Sequence, residues 1–171
     1  MSAGKTQRQR TRWTTQAGFS LIELLIVVAI ILIIAAIAIP NFMRSRIAAN
    51  ESAAVASCRN IVTAQVVYAS TYGTGYSDTL NALGPAPGGG PATANNAALI
   101  DDVLAAGSKH GYRFEYTPVD SNGDGINDAF TLKAWPLNPG FTGERYFFTD
   151  QSGVVRADRT GRADVNDPPI G

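Results

Sequence analysis

The side chain of greatest chemical consequence is an isolated acid. In GFSLIELL, residues 18–25, Glu23 is the one ionisable group at the mouth of a long apolar run. An ionised carboxylate inside an apolar medium is costly unless a cation meets it, so its placement asks for a partner. A second constellation is the segment DSNGDGIND, residues 120–128, where Asp120, Asn122, Asp124, Gly125 and Asp128 repeat the oxygen-ligand spacing D-x-[DN]-x-[DN]-G-x-x-D of a calcium loop. Alternate side chains in such a loop turn hard oxygens toward one cation, Ile126 would add a backbone carbonyl, and Gly125 permits the sharp bend. The twelfth position, where a bidentate Glu belongs, is Thr131, and both flanks read as strands. Asn, Asp and Gly are also what a plain hairpin turn uses, so calcium and a metal-free turn both stand as readings.

Enzymatic chemistry finds no foothold. The one histidine, His110, has no nucleophile signature around it. GPAPGGGP, residues 84–91, lacks the lysine of a phosphate-cradling loop. The lone Cys58 has no partner for an intramolecular disulfide and sits among apolar neighbours as a small buried hydrophobe. Tyr68, Tyr72 and Tyr76 recur every four residues, a spacing that suits packing on a sheet, with a stacked aromatic path for electron transport as the alternative reading. The sequon Asn50-Glu51-Ser52 falls in the middle of a helical pattern, where glycosylation is not expected.

The elements that position Glu23 begin with charge. The chain has zero net charge, yet Lys5, Arg8, Arg10 and Arg12 place four cations and no acid in the first 18 residues, leaving 10 basic against 14 acidic groups beyond. That balance argues against nucleic acid as a partner, since phosphate binding needs clustered cations. Residues 24–39 are 16 consecutive uncharged positions, extended to 21 from Phe19 with only Ser20 and Glu23 polar. At about 1.5 Å per residue such a helix crosses a bilayer core of about 30 Å. The basic flank stays on the cytoplasmic side, which puts all that follows across the membrane. A cleaved secretory signal and a simple single-pass anchor are the plainer readings; the run is too long for the first, and neither gives Glu23 a use.

Residues 18–42, GFSLIELLIVVAIILIIAAIAIPNF, strongly resemble the prepilin signal of type IV pilins and type II secretion pseudopilins. The resemblance implies that a membrane peptidase cuts between Gly18 and Phe19 and methylates the new amine of Phe19. It further implies that the apolar helix is kept, and that Glu23 of an incoming subunit faces the Phe19 amine of one already in a filament. Such an amine is largely cationic at neutral pH, with a reference pKa of about 7.7–8.0. Pro40 removes an intrahelical hydrogen bond and crowds the carbonyl four residues back, so a kink or local melting is expected over residues 36–40; in the family this region can unwind on assembly.

The fold class expected is α+β and pilin-like: a helical spine over about residues 19–72 packed on a small antiparallel sheet. Residues 1–18 form the removed leader, 19–40 the apolar helix, 41–72 an amphipathic helix, 73–111 a variable loop and 112–171 a β-meander with a C-terminal tail. On the second helix Ile47, Ala54, Val55, Cys58, Ile61, Val62, Val66, Tyr68, Ala69 and Tyr72 share one broad face. The loop holds a possible short helix at 96–106. Alternation marks strands at 112–119, 129–137, 144–150 and 154–158. The function implied is a structural subunit of a type IV pilus, not an enzyme, with a type II secretion pseudopilin and a monomeric membrane-anchored binding module as alternatives. Its implied partners are further copies in a helical homopolymer, the peptidase and methylase, and inner-membrane assembly machinery. It would sit in the bacterial inner membrane before assembly, then on the cell surface or, as a pseudopilus, in the periplasm. No cofactor is expected apart from possible calcium.

Overall fold

The computed structural model describes residues 18–170. The chain divides into two compact units, Met1–Pro40 and Asn41–Gly171. Helix α1 is assigned without a break over Leu21–Tyr72 and contains Pro40, so the local melting expected around that proline is not present. Over its apolar part the reason for helix is plain: Leu, Ile and Ala dominate and neither Gly nor Pro interrupts residues 21–39.

The second unit is an α+β layer. After α1 come a 3₁₀ turn at Leu80–Leu83 and the one-turn helix α2 at Asp102–Ala105. Five strands follow: β1 (Ser108–Lys109), β2 (Tyr112–Val119), β3 (Ala129–Pro136), β4 (Tyr146–Asp150) and β5 (Arg156–Asp158). They pair antiparallel in the order β1-β2-β3-β4-β5. This is the meander read from the alternating pattern, with β1 as an added edge. Register is full between β2 and β3, from Tyr112 opposite Pro136 to Val119 opposite Ala129. Along β3 every second residue is buried, as the two-residue period of a strand with one covered face requires. The turn from β1 to β2 is His110-Gly111, both at positive φ (51° and 75°), a two-residue loop whose twist matches its strands.

Ala54, Cys58, Ile61, Ala64 and Tyr68 of α1 pack with Tyr112, Phe114, Leu132, Ala134, Phe147 and Val155 of the sheet side to make the core. The buried line on α1 runs Glu51, Ala54, Cys58, Ile61, Gln65, Tyr68, alternating steps of three and four as one helix face demands. It is rotated from the face expected: Val66 is 54% exposed, while Gln65 is wholly buried. Gln65 is tolerated there because both ends of its amide are used. Its Nε2 donates to Ser77 Oγ (2.8 Å) and its Oε1 accepts from Ser77 N–H (3.0 Å). Tyr116 OH then donates to Ser77 O (2.7 Å), tying the chain that leaves α1 to the sheet.

The helix considered for residues 96–106 shrinks to α2, because Asp101 caps Leu104 N–H with its side chain and Thr93 pairs with Asn96 in a tight turn upstream. The tyrosines split. The rings of Tyr68 and Tyr72 meet at 4.9 Å with a 50° tilt, while Tyr76 lies past the helix and meets Phe130 edge-on at 4.9 Å.

Candidate functional site

Gly18, Phe19 and Ser20 precede α1 without regular structure and are exposed, Phe19 at 85%. The bond between Gly18 and Phe19 is therefore in open backbone just before a helix. Ser20 is what starts that helix. Its Oγ accepts from Ile22 N–H (3.3 Å), and its own N–H donates to Glu23 Oε2 (2.8 Å). This is a capping box, in which two of the unpaired amides at a helix start find side-chain acceptors. Glu23 is thus not unpartnered in the single chain. The cap is local and leaves a carboxylate that accepts at two oxygens. The signal S-x-x-E is present in the sequence as SLIE, residues 20–23.

From Leu21 onward the helix surface is apolar and open. Leu24 and Leu25 are about three-fifths exposed, as are Ile33, Ile37 and Ile39. One helix among the described residues is long and apolar enough to cross a membrane, and none of its most apolar stretch is buried. A continuous exposed surface of this kind marks a site that lipid or protein covers.

The acidic hairpin 120–128 is organised around its own backbone. Asp120 accepts from the N–H groups of Asn122 (3.3 Å), Gly123 (2.7 Å) and Gly125 (2.9 Å). Those of Gly125 and Gly123 hold its carboxyl below the usual range. Asp124 accepts from Ile126 N–H (2.8 Å) and from Asn122 Nδ2 (3.0 Å), and Asp128 accepts from Ser121 N–H and Oγ. Ile126 is 45% exposed, with its Cγ2 lying over Gly75. Among the described residues no group of three or more His, Cys, Asp or Glu side chains is gathered as a metal would need. In the ligand set Asp120, Asn122, Asp124, Ile126 and Asp128 considered for calcium, the side-chain oxygens accept from groups of the turn itself, Asn122 Oδ1 taking Asp124 N–H (3.0 Å).

A clasp that sequence reading passed over sits on α1. Glu51, 6% exposed, accepts from Glu144 N–H (2.8 Å) and Arg145 N–H (3.0 Å) with Oε1 and from Arg145 Nε (2.7 Å) with Oε2. Burial pushes its carboxyl up, but the N–H of Glu144 and the guanidinium and N–H of Arg145 outweigh that and hold it below the ordinary value. Beside it Asn50 Nδ2 donates to Thr142 O (2.9 Å), which also engages the nitrogen of the sequon. Together they fasten the loop 137–145 to the helix. Only a glycine fits at Gly143, because a Cβ there would strike the Tyr112 ring. Cys58 is fully buried and its thiol is pushed up to about 12 by burial, so it is inert.

Residues 13–39 match the model of the prokaryotic N-terminal methylation motif. The type IV major pilin protein PilA of Myxococcus xanthus is 49% identical over 70 residues, 41% of this chain and 31% of that one. The type IV wide pilus major component PilA4 of Thermus thermophilus is 49% identical over 51 residues, 30% of this chain and 39% of that one. The matched stretch spans about a third of the length of these relatives. No solved structure gives a significant match. Over these N-terminal stretches, where a methylation motif leads an apolar helix, the chain is similar to type IV pilins.

Proposed function

We propose that this chain is the precursor of a structural subunit of a type IV pilus. The observation that carries the reading is the pairing of an open Gly18–Phe19 bond with a capped, exposed apolar helix that retains one acid, Glu23. The leader, whose four cations lie outside the described residues, would hold the N-terminus in the cytoplasm while the helix spans the inner membrane. A peptidase would cut after Gly18 and the amine of Phe19 would be methylated. The mature helix would then leave the bilayer for the interior of a helical homopolymer on the cell surface.

Lipid tails are as apolar as Leu, so moving this helix from bilayer to filament changes apolar burial little. The charges are what discriminate between positions. The cationic Phe19 amine of one copy and Glu23 of the next attract strongly in a low-dielectric surrounding, whereas a copy docked out of step strands its acid. Glu23 therefore has two tasks in sequence: it caps its own helix in the single chain, and it registers against a neighbour's amine in the fibre. Pro40, with no N–H to offer the carbonyl of Ala36, is the point at which the helix yields most readily during assembly. The names of the relatives favour the pilus over the pseudopilus of type II secretion.

The test is Glu23→Val. The variant should still be cut and should still insert, but surface filaments collected by shearing should be lost. Filaments in normal amount from this variant would remove the pairing from the account.

A further inference from the structure

Two surfaces at opposite ends of the second unit match each other. The first is a groove of about 620 Å³ lined by Phe42, Met43, Arg46, Asn138, Phe141 and Thr142. Phe42 and Phe141 are 69% and 66% exposed, two large aromatic faces in the open side by side. Arg46 has no ion-pair partner among the described residues. Arg44 lines a neighbouring recess with Glu51 and Glu144. The loop that supplies Phe141 is held in place by Asn50 and Glu51, so the groove is built and does not depend on a partner to form.

The second surface is the β2–β3 hairpin tip. Ile126 presents a half-exposed apolar face there, braced over Gly75 and in one loop with Asp120, Asp124 and Asp128, with Asp78 bonded alongside through Asn127 Nδ2 (2.8 Å). Residues 73–78 and 119–129 contain four acids and no cation. The tip is fastened beyond the end of α1, where Tyr76 N–H donates to Asn127 O (2.8 Å). Along α1 from Arg46 to Tyr72 the rise is about 40 Å. A chain therefore cannot bring its own tip to its own groove.

We propose that the Ile126 tip of one copy seats in the Phe42–Phe141 groove of another, with Asp124 and Asp128 set against Arg46. The apolar knob fills the apolar floor, and the acidic rim meets the cationic one; a second copy of this chain supplies both halves of the match. Because knob and groove lie at opposite ends, the contact is heterologous and repeats from copy to copy, as a growing fibre requires. The inference rests on the assembly reading above and adds a contact between heads to the one between helices.

Cysteine cross-linking of the full chain in intact filaments tests it. Cys58 is buried and silent, and a disulfide forms only when two Cα atoms come within about 7 Å. Filaments of the double variant Ile126→Cys with Phe141→Cys, treated with a mild oxidant, should give a ladder of dimers and higher multimers on a non-reducing gel. Each single variant should remain monomeric. If the double variant fails to assemble, charge exchange decides: Arg46→Glu should reduce filament yield, and adding Asp124→Arg should restore it. Monomers alone from filaments that microscopy shows to be intact, dimers from Phe141→Cys by itself, or no rescue by the exchange would overturn the contact while leaving the assembly reading in place. No filaments from the unaltered chain would overturn both.

Discussion

Replacing Glu51 with Ala removes the acceptor for two backbone N–H groups and for Arg145 Nε in one step. A buried donor left unsatisfied costs about 1–3 kcal/mol. Arg145 is a third exposed and rehydrates, so its loss is discounted toward the value of a surface pair. The sum for Glu51→Ala is about 3 kcal/mol, dominated by the amides of Glu144 and Arg145. Glu51→Gln keeps one carbonyl oxygen for those amides and loses the charged bond to Arg145, which gives about 1 kcal/mol. At this size 1 kcal/mol moves Tm by about 4 °C, so Ala should fall by about 12 °C and Gln by about 4 °C. The assay is thermal unfolding of the mature chain in detergent, followed by Trp135, the one tryptophan left once residues 1–18 are gone. The pH dependence has a definite sign. Glu51 titrates below its ordinary value of 4.5 in the folded chain, so its contribution is complete above that pH and is lost as pH falls through the lowered pKa. The drop should be smaller in the Gln variant. Ala and Gln variants that both melt within about 1 °C of the parent, a quarter of the shift expected for the milder change, would refute the clasp.

Two further outcomes follow from the turns. His110 occupies the first positive-φ position of the β1–β2 loop, where Asn is favoured, so His110→Asn should stabilise the chain by about 0.5 kcal/mol in the same melt, and a loss would contradict the turn assignment. The hairpin 120–128 closes on its own amides, so excess calcium or a chelator should leave Tm unchanged; a rise with calcium that Asp124→Ala abolishes would restore the metal reading.

Strands were legible because β2 and β3 alternate cleanly, and the turns after β2, β3 and β4 carry Gly where positive φ is needed. The apolar span was legible from length alone. The face of α1 was not, since two of its buried positions are polar: Glu51 and Gln65 stand in the three-and-four spacing of the core but look like solvent residues until Arg145 and Ser77 are placed against them. Those partners lie 94 and 12 residues away, beyond any local pattern. The cap by Ser20 on Glu23 was readable from four residues, yet the apolar surroundings of Glu23 point first to a distant cation and not to a near amide. The calcium spacing carries two readings for the converse reason: the same residue types satisfy a turn, and nothing local distinguishes an oxygen held by an amide from one held by a metal.

The most direct measurement is the mass of the N-terminal peptide from chains in sheared surface filaments. The account predicts a peptide that begins at Phe19 and carries one added methyl group. Filaments whose subunits still begin at Met1, or a chain that keeps its first 18 residues and never leaves the membrane, would contradict it.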